Sequence, residues 1–423
     1  MGTTVTARRA VSLRRRAPLG ALLGANLLSV TGTTITTVAV PWFVLETTGS
    51  AARTGVTAAV SLAPVVVSAG LGGAIVDRVG YRRASVISDV AGAVLVAAIP
   101  ALWLTAGLPF GVLLALLFAR CLFATPGETA REALLPEVAA HAGTPLERGM
   151  STLDGVSRAG KMVGAPLAGA LIAVFGAADL LFADGITFAV SAALVGAGAR
   201  AVAEPRHPHT GSYGTRLREG LAYLWRDRLL RAMCVMVLVT NLLDAAYGQV
   251  LLPVYARDVL HSALALGAIS GVFSAGAVVG TVLYGAVGAR LPRRATFVLS
   301  FLLGGGPRFL LLMLGPPLPV LLGLLFLFAV GTGSINPLLG VVQVERIPGT
   351  LRARVMGATT AVAWAAMPLG GLLGGLLAAR AGVHAALLFC GAAYILTTLA
   401  PLVGSTWRAL DRPAPSALAS EAR

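Results

Sequence analysis

Long apolar stretches, separated by short polar ones, run through most of this chain. A helix needs about 20 mostly apolar residues to cross the hydrocarbon core of a bilayer. Twelve windows meet this requirement: 19–45, 54–76, 83–105, 109–130, 151–174, 178–199, 230–252, 264–287, 295–314, 319–341, 355–378 and 383–403. The pattern therefore predicts an all-α membrane protein with twelve transmembrane helices.

A polar stretch divides these spans into two groups of six. It contains Pro205, His207, Pro208, His209 and a cluster of arginines, so it must lie in water. Within it, Leu217–Arg231 alternates apolar and basic residues at helical spacing, which fits either a helix along the membrane surface or a solvated linker helix. The predicted organisation is a tail over 1–18, a six-helix bundle over 19–199, a linker over 200–229, a second six-helix bundle over 230–403 and a tail over 404–423.

The composition excludes an ordinary soluble protein. Hydrophobic residues make up 57% of the chain and charged residues only 12%, with a mean hydropathy of +0.83. A soluble domain carries about a quarter charged residues, because it must cover its surface with polar groups. In lipid, apolar side chains face outward without cost, and the backbone hydrogen bonds are satisfied within each helix.

The positive charges predict the orientation of the chain. Of its 33 Lys and Arg residues, 26 lie in the two tails, the linker and the even-numbered loops, whereas the odd-numbered loops hold only Arg53, Arg257 and Arg380. Cytoplasmic loops are the ones enriched in Lys and Arg, so we expect both termini in the cytoplasm. The net charge of +15 falls in short clusters, not along one amphipathic face, which argues against nucleic-acid binding. One lysine beside 32 arginines is typical of a high-GC bacterium. Together with the twelve spans, this predicts a multi-pass protein of the bacterial cytoplasmic (inner) membrane.

The two halves echo one another. Span 2 ends in Gly73-x-x-x-Asp77-Arg78-x-Gly80-Tyr81-Arg82-Arg83, and span 8 ends in Gly285-x-x-Gly288-x-Arg290-x-Pro292-Arg293-Arg294. Corresponding features in two six-span halves indicate an internal repeat, which is common in transporters.

The loop after span 2 resembles the signature loop of the major facilitator superfamily, Gly-x-x-x-Asp-Arg-x-Gly-Arg-Arg, with Tyr81 inserted before the arginine pair. The resemblance implies two six-helix bundles that rock around a central cavity. It also implies a gate in which a charge pair forms in one state and breaks in the other. The alternative is that the basic residues only set the topology. The predicted gate residues are Gly73, Asp77, Arg78, Gly80, Arg82, Arg83 and the nearby Asp89.

Charged residues within spans are candidates for transport chemistry, because an unpartnered charge there costs several kcal/mol. Arg120 in span 4 resembles an arginine of the superfamily that is associated with proton coupling, although a structural ion pair would also explain it. Asp244 in span 7 ranks first as the proton-carrying carboxylate, and Asp184 is a second candidate. The predicted residues of the substrate cavity are Asn26, Arg120, Lys161, Asn241, Asp244 and Arg308.

Span 5 carries Gly160-x-x-x-Gly164-Ala165-Pro166-x-x-Gly169, which resembles an antiporter motif with an alanine inserted. Small residues four apart allow close helix contact. Span 8 has the same spacing at Gly267/Gly271 and Gly276/Gly280, so we expect spans 5 and 8 to cross. The motif favours export by proton antiport, while dense packing alone would also account for it.

The four basic residues within spans (Arg120, Arg158, Lys161, Arg308) outnumber the three deep acids (Asp89, Asp184, Asp244), which predicts an anionic or zwitterionic small-molecule cargo. The alternative is that Lys161 forms an interhelical salt bridge, for example with Asp244.

Across residues 19–403 the chain resembles the enterobactin and macrolide exporters of the superfamily, through Leu45-Glu46-Thr47-Thr48-Gly49-Ser50, Leu134-Leu135-Pro136 and Arg352-Ala353-Arg354-Val355-Met356-Gly357. The resemblance implies efflux of a drug or natural product by alternating access. An importer or uniporter of a nutrient and a transport-inactive sensor are the alternatives. We expect no enzymatic activity, no metal and no cofactor beyond the proton gradient, because no catalytic constellation and no nucleotide-binding Gly-Lys-Ser/Thr loop occurs. We also expect a monomer.

Overall fold

The computed structural model describes residues 2–201, 213–349, 351–403 and 406–411. The side chains of residues 2–14, 65–78, 201, 213, 216, 289 and 353 lie outside this description. Every regular element in the described residues is a helix, and none of these residues forms a strand.

The first compact unit comprises Met1–Phe43 and Val60–Thr210. Positive-φ glycines punctuate its helices: Gly80, Gly107, Gly143 and Gly176 lie in the turns, where a side chain would be strained. Its helices are α1 (Gly2–Thr48), α2 (Ala51–Val79, shared with the second unit), α3 (Tyr81–Thr105), α4 (Phe110–Ala142), α5 (Leu146–Phe175) and α6 (Ala177–Gly198).

The second compact unit comprises Val44–Ala59 and Gly211–Arg423. Its helices are more broken than those of the first unit, and one turn, Tyr247–Leu251, is a π-helix. They are α7 (Tyr213–Arg226), α8 (Arg228–Ala246), α9 (Leu252–Asp258), α10 (Ala263–Val287), α11 (Arg293–Gly304), α12 (Gly306–Leu314), α13 (Leu318–Thr332), α14 (Ile335–Arg346), α15 (Arg352–Ala365) and α16 (Met367–Leu399).

Ten helical segments of the described residues are long and apolar enough to cross a membrane. The longest, Arg354–Leu402, is interrupted at Gly382 (φ 81°), so it corresponds to the last two predicted spans. The span predicted at 54–76 falls in α2, where most side chains lie outside the described part of the chain. When Arg354–Leu402 is counted as two spans and α2 is added, the helices correspond to the twelve predicted spans.

The fourth span differs from its prediction in length. The apolar window ends at residue 130, but α4 continues to Ala142, where Gly143 in the left-handed conformation ends it. Polar side chains that find partners within a helix bundle do not end a helix, so the hydropathy window was too short. Arg131, which the sequence assigned to a loop, therefore lies inside the first unit.

Glycine contacts join helices within each unit. A Cβ atom on Gly164 would lie 2.7 Å from Thr34, and one on Gly160 would lie 3.0 Å from Thr31, both on α1. In the second unit, a Cβ on Gly276 would lie 2.6 Å from the carbonyl oxygen of Phe326 on α13. These three glycines pack against helices of their own unit, and the prediction that spans 5 and 8 cross stays a prediction.

The start of α2 packs on α16 within the second unit. A Cβ on Gly55 would lie 2.5 Å from the carbonyl oxygen of Gly371, and one on Gly375 would lie 2.8 Å from the oxygen of Ala51. Backbones this close tolerate no side chain at these positions. Beside them, Leu45 at the end of α1 lies in an apolar cluster with Ala58, Val250 and Val254.

The predicted linker contains α7, which packs on other helices of the second unit. The Tyr223 hydroxyl donates a hydrogen bond to the carbonyl oxygen of Arg346 at the end of α14 (2.7 Å). Burial and the neighbouring Asp227 carboxylate raise the pKa of the Tyr223 phenol, so it stays protonated and remains a donor. A Cβ on Gly220 would overlap the backbone of Arg354, which brings α7 directly against α15.

Candidate functional site

An ion pair joins two helices of the second unit. The Arg308 guanidinium on α12 donates to the Asp244 carboxylate on α8. The two side chains differ in exposure, since 38% of Asp244 is accessible to solvent and only 9% of Arg308. The sequence predicted both residues as lining a substrate cavity, and the structure brings them together. The other partner considered for Asp244, Lys161, lies in the first unit.

Aromatic rings surround the Arg308 guanidinium. Its central carbon lies 4.6 Å from the centroid of Tyr247, 5.3 Å from those of Phe273 and Phe309, and 5.8 Å from that of Tyr394. Cation–π attraction of this kind gains strength when water is excluded. The arginine is thus held by its neighbours, and the more accessible charge of the pair is the carboxylate.

Irregular backbone positions this pair. Asp244 lies on the turn of α8 that precedes the π-helix Tyr247–Leu251, and Arg308 follows the break between α11 and α12 at Gly305. A side chain on Gly305 would overlap the Tyr394 ring, so the glycine lets that ring approach the pair. π-turns and broken membrane helices are frequent at functional sites.

Asn241, one turn before Asp244, was predicted to line the cavity. Its amide nitrogen donates to the carbonyl oxygen of Ala363 on α15 at 2.9 Å. The side chain therefore joins α8 to α15 and also lies beside the ion pair.

A second ion pair, which is buried, lies in the first unit. Arg131 Nη1 lies 3.1 Å from Asp89 Oδ2, and the two side chains are only 2% and 4% exposed. Asp89 also accepts hydrogen bonds from the hydroxyls of Ser191 (2.6 Å) and Ser29 (3.1 Å). The remaining Arg131 donors reach Ser29, Ser85 and Asn26. These residues join α1, α3, α4 and α6.

Sequence reasoning missed Arg131 as a site residue. It was counted among loop arginines because the apolar window of span 4 ends one residue earlier. The available signal was Asp89, a deep carboxylate for which the sequence named no partner. Asn26, predicted in the substrate cavity, belongs to this network: it accepts from Arg131 Nε (3.3 Å) and donates to the Ser157 hydroxyl on α5 (2.8 Å).

Asp184 on α6 has hydroxyl partners and no ion pair among the described residues. Its carboxylate accepts hydrogen bonds from Thr36 on α1 and from Thr187 (3.0 Å), and the residue is 1% exposed. Arg120 on α4 is close enough for its charge to act on Asp184. Arg120 itself donates to the Thr33 hydroxyl (3.2 Å) and lies 5.3 Å from the ring centroid of Phe188.

The exposed charges of α5 form a separate group. Arg158 pairs with Asp154 one turn earlier at 2.8 Å, and both side chains are more than half exposed. Lys161 is also exposed. Gly160, Gly164 and Gly169 of the same helix are buried. Pro166 lies in the interior of α5.

Only part of the predicted gate falls within the described side chains. Those of Gly73, Asp77 and Arg78 lie outside them. Gly80, with φ 90° and ψ 146°, separates α2 from α3, and Arg82 and Arg83 begin α3. The gate role of these residues stays a prediction, and Asp89 forms the buried network with Arg131.

The comparisons with known proteins agree with this architecture. A family model described as Major Facilitator Superfamily matches residues 22–265 and 243–423. The chain is similar to the multidrug efflux pump Tap of Mycolicibacterium fortuitum, with 34% identity over 383 residues that cover 88% of this chain and 92% of the relative. It is also similar to the multidrug efflux pump Tap of Mycobacterium tuberculosis, with 32% identity over 404 residues that cover 94% of this chain and 95% of the relative.

Two solved structures share the fold. The nucleoside transporter NupG superimposes with a TM-score of 0.75 at 13% identity, covering 93% of this chain and 99% of that chain. A bacterial homolog of the human lysosomal transporter Spinster, in an inward-facing and unoccupied conformation, gives a TM-score of 0.69 at 13% identity, covering 95% of this chain and 97% of that chain. At these identities the likeness concerns the fold alone. The predicted twelve-helix fold is confirmed.

Proposed function

Because the chain belongs to the major facilitator superfamily, we propose that it is a secondary active transporter that exports a drug-like or natural-product small molecule by alternating access. The observation that carries the proposal is its similarity to multidrug efflux pumps over 88% and 94% of its length. The excess of arginines in the tails, linker and even-numbered loops supports an orientation in the bacterial inner membrane with both termini in the cytoplasm. We further propose that it acts as a monomer and performs no covalent chemistry.

We propose that the proton gradient drives export and that the two membrane carboxylates have different roles. Asp244 has a counter-charge in Arg308, which offsets the cost of a carboxylate charge in the membrane. Asp184 is buried among hydroxyl groups without an ion-pair partner in the described residues, so protonation removes the cost of a buried charge. These contacts support Asp184 as the proton carrier, with Arg120 as the cation that acts on it. They support Asp244 as the group that meets the cargo.

The cargo is proposed to be anionic or zwitterionic. Lys161 is an exposed cation on a membrane helix, and nothing in the described residues hydrogen-bonds to its ammonium group. An anionic group of the cargo would offset the cost of that charge.

The test is transport by the full chain in an export-deficient bacterial host. Accumulation of a panel of antibiotics and dyes is measured with and without a protonophore, for the wild type and for Asp184→Asn. The matched control is Asp179→Asn, an exposed carboxylate at the start of the same helix. We expect the wild type to lower accumulation only while the gradient is intact. Asp184→Asn should lose gradient-driven export, and Asp179→Asn should retain it.

Different outcomes separate the parts of the proposal. If the wild type lowers the accumulation of no compound, or raises accumulation in a gradient-dependent way, the efflux function is wrong and import is favoured. If Asp184→Asn exports normally while Asp244→Asn loses proton coupling, the efflux function stands and Asp244 is the proton carrier.

A further inference from the structure

We propose that α7 and the first turn of α8 form a binding surface for anionic lipid headgroups. The surface, which we term the basic face, consists of Arg218, Trp225, Arg226, Arg228 and Arg231, all of them exposed. Arg218 and Trp225 are seven residues apart, two helical turns, so they lie on the same side of α7. Arg231 donates to the carbonyl oxygen of Trp225 at 3.1 Å, which brings the start of α8 beside them.

Among the described residues, the acidic residues of α7 and the first turn of α8 have ion-pair partners in the second unit, unlike the arginines of the basic face. Glu219 pairs with Arg354 at 2.5 Å, and Asp227 pairs with Arg346 at 3.1 Å. Asp227 also caps α8 by accepting from the backbone nitrogen of Leu229 at 2.8 Å. Both carboxylates are therefore paired with arginines of the second unit, Glu219 at the surface (44% exposed) and Asp227 closer to the interior (21% exposed). The exposed charges of this segment that have no ion-pair partner in the described residues are all positive.

The basic arginines have no competing carboxylate. In the part of the chain that the structure describes, no Asp or Glu forms an ion pair with Arg218, Arg226 or Arg228. A helix beside an anionic surface gains attraction from each arginine that faces it.

The position of the basic face indicates a bilayer as its partner. Leu229 and Leu230, directly after Arg228, are buried, and Arg228–Asp258 is long and apolar enough to span a membrane. The basic face thus lies at the end of a membrane helix, at the depth of the lipid headgroups. Trp225 is 50% exposed, and tryptophan is enriched at this interface because its ring is amphipathic. These features favour a lipid headgroup over free phosphate or an acidic protein.

The expected strength follows from the number of charges. Each arginine near an anionic lipid surface strengthens binding by roughly fivefold. The double variant Arg218→Gln/Arg226→Gln should therefore weaken binding by roughly 25-fold. The double variant Arg218→Lys/Arg226→Lys keeps the charge and should bind as the wild type does. The control is Arg380→Gln, which removes an exposed arginine of α16, near the kink at Gly382 and outside the basic face.

The experiment uses the purified full chain in a neutral detergent. Dioctanoyl phosphatidylglycerol, dioctanoyl phosphatidylcholine, glycerol 3-phosphate and a polyglutamate peptide are titrated separately. Binding is read by native mass spectrometry and by the part of the tryptophan fluorescence that disappears in Trp225→Phe. The thermal midpoint of each variant is compared with that of the wild type first.

We expect phosphatidylglycerol to bind at least tenfold more tightly than phosphatidylcholine, and the selectivity to be lost in the glutamine variant alone. Equal affinity of the wild type and the glutamine variant for phosphatidylglycerol would overturn the proposal. So would glycerol 3-phosphate binding as tightly as the lipid, which would mean a free-anion site, or tighter binding of polyglutamate, which would mean an acidic protein partner. If the glutamine variant does not fold, loss of phosphatidylglycerol binding in the lysine variant overturns the proposal, and retained binding that responds to Trp225→Phe supports it.

Discussion

The Asp89–Arg131 pair offers a sharp test of what a buried charge does in this protein. Replacing Arg131 by methionine removes the cation but keeps most of the side-chain volume. Asp89 would then retain only the hydroxyls of Ser29 and Ser191 as partners, in a site where the pair is 2% and 4% exposed. Breaking such a pair on one side costs about 3–5 kcal/mol, because an uncompensated charge is left buried.

We therefore expect Arg131→Met to lower the free energy of unfolding by about 3–5 kcal/mol, a factor of roughly 10² to 10⁴ in the folding equilibrium. The double variant Asp89→Asn/Arg131→Met should recover a large part of that loss, because neither charge is then left unpaired. Arg148→Met changes an exposed arginine of the same unit and should stay within about 0.5 kcal/mol of the wild type.

The assay is reversible unfolding of the purified protein by sodium dodecyl sulfate in mixed micelles, followed by circular dichroism, with transport measured in parallel. A gate role for Asp89 makes the opposite prediction. Asp89→Asn and Arg131→Met should then each keep the stability of the wild type and lose transport. An Arg131→Met protein within 1 kcal/mol of wild-type stability would refute the view that this network holds the first unit together.

Three further predictions concern single positions. Asp77→Asn should insert and fold normally but transport at a tenth of the wild-type rate or less, because a gate needs only about 1.4 kcal/mol to shift its equilibrium tenfold; wild-type transport at normal expression would contradict the gate. Gly280→Ala should destabilise by roughly 1–3 kcal/mol, because its Cβ would overlap the backbone of α13, whereas Gly285→Ala, in open space on the same helix, should be neutral in thermal unfolding. Tyr223→Phe should cost about 1 kcal/mol through the lost hydrogen bond to Arg346, with no change between pH 6 and pH 9, because the raised pKa of Tyr223 keeps the phenol protonated throughout; a stability difference that shrinks at pH 9 would contradict this.

Much of the candidate site was predictable from the free-energy cost of placing a charge inside a membrane. Arg120, Asp184, Asp244 and Arg308 interrupt apolar windows, and a charge at that depth requires a partner or a function. Which of them pair was not predictable. For Asp244, the only partner named from the sequence was Lys161, whereas the structure pairs this carboxylate with Arg308. The choice between them depends on the rotation of each helix about its axis, which a single span does not encode.

The sequence by itself determined the class of the protein and the number and order of its spans. These properties follow from local sums of hydropathy and charge, since about 20 apolar residues suffice to cross a bilayer. The tertiary structure alone decided where α4 ends and that Arg131 lies inside the first unit. It also decided that Gly160 and Gly164 of α5 pack against α1 and that Gly276 and Gly280 of α10 pack against α13. These contacts join residues far apart in the chain, so no local window contains the information, and packing among all the helices of a unit selects one arrangement.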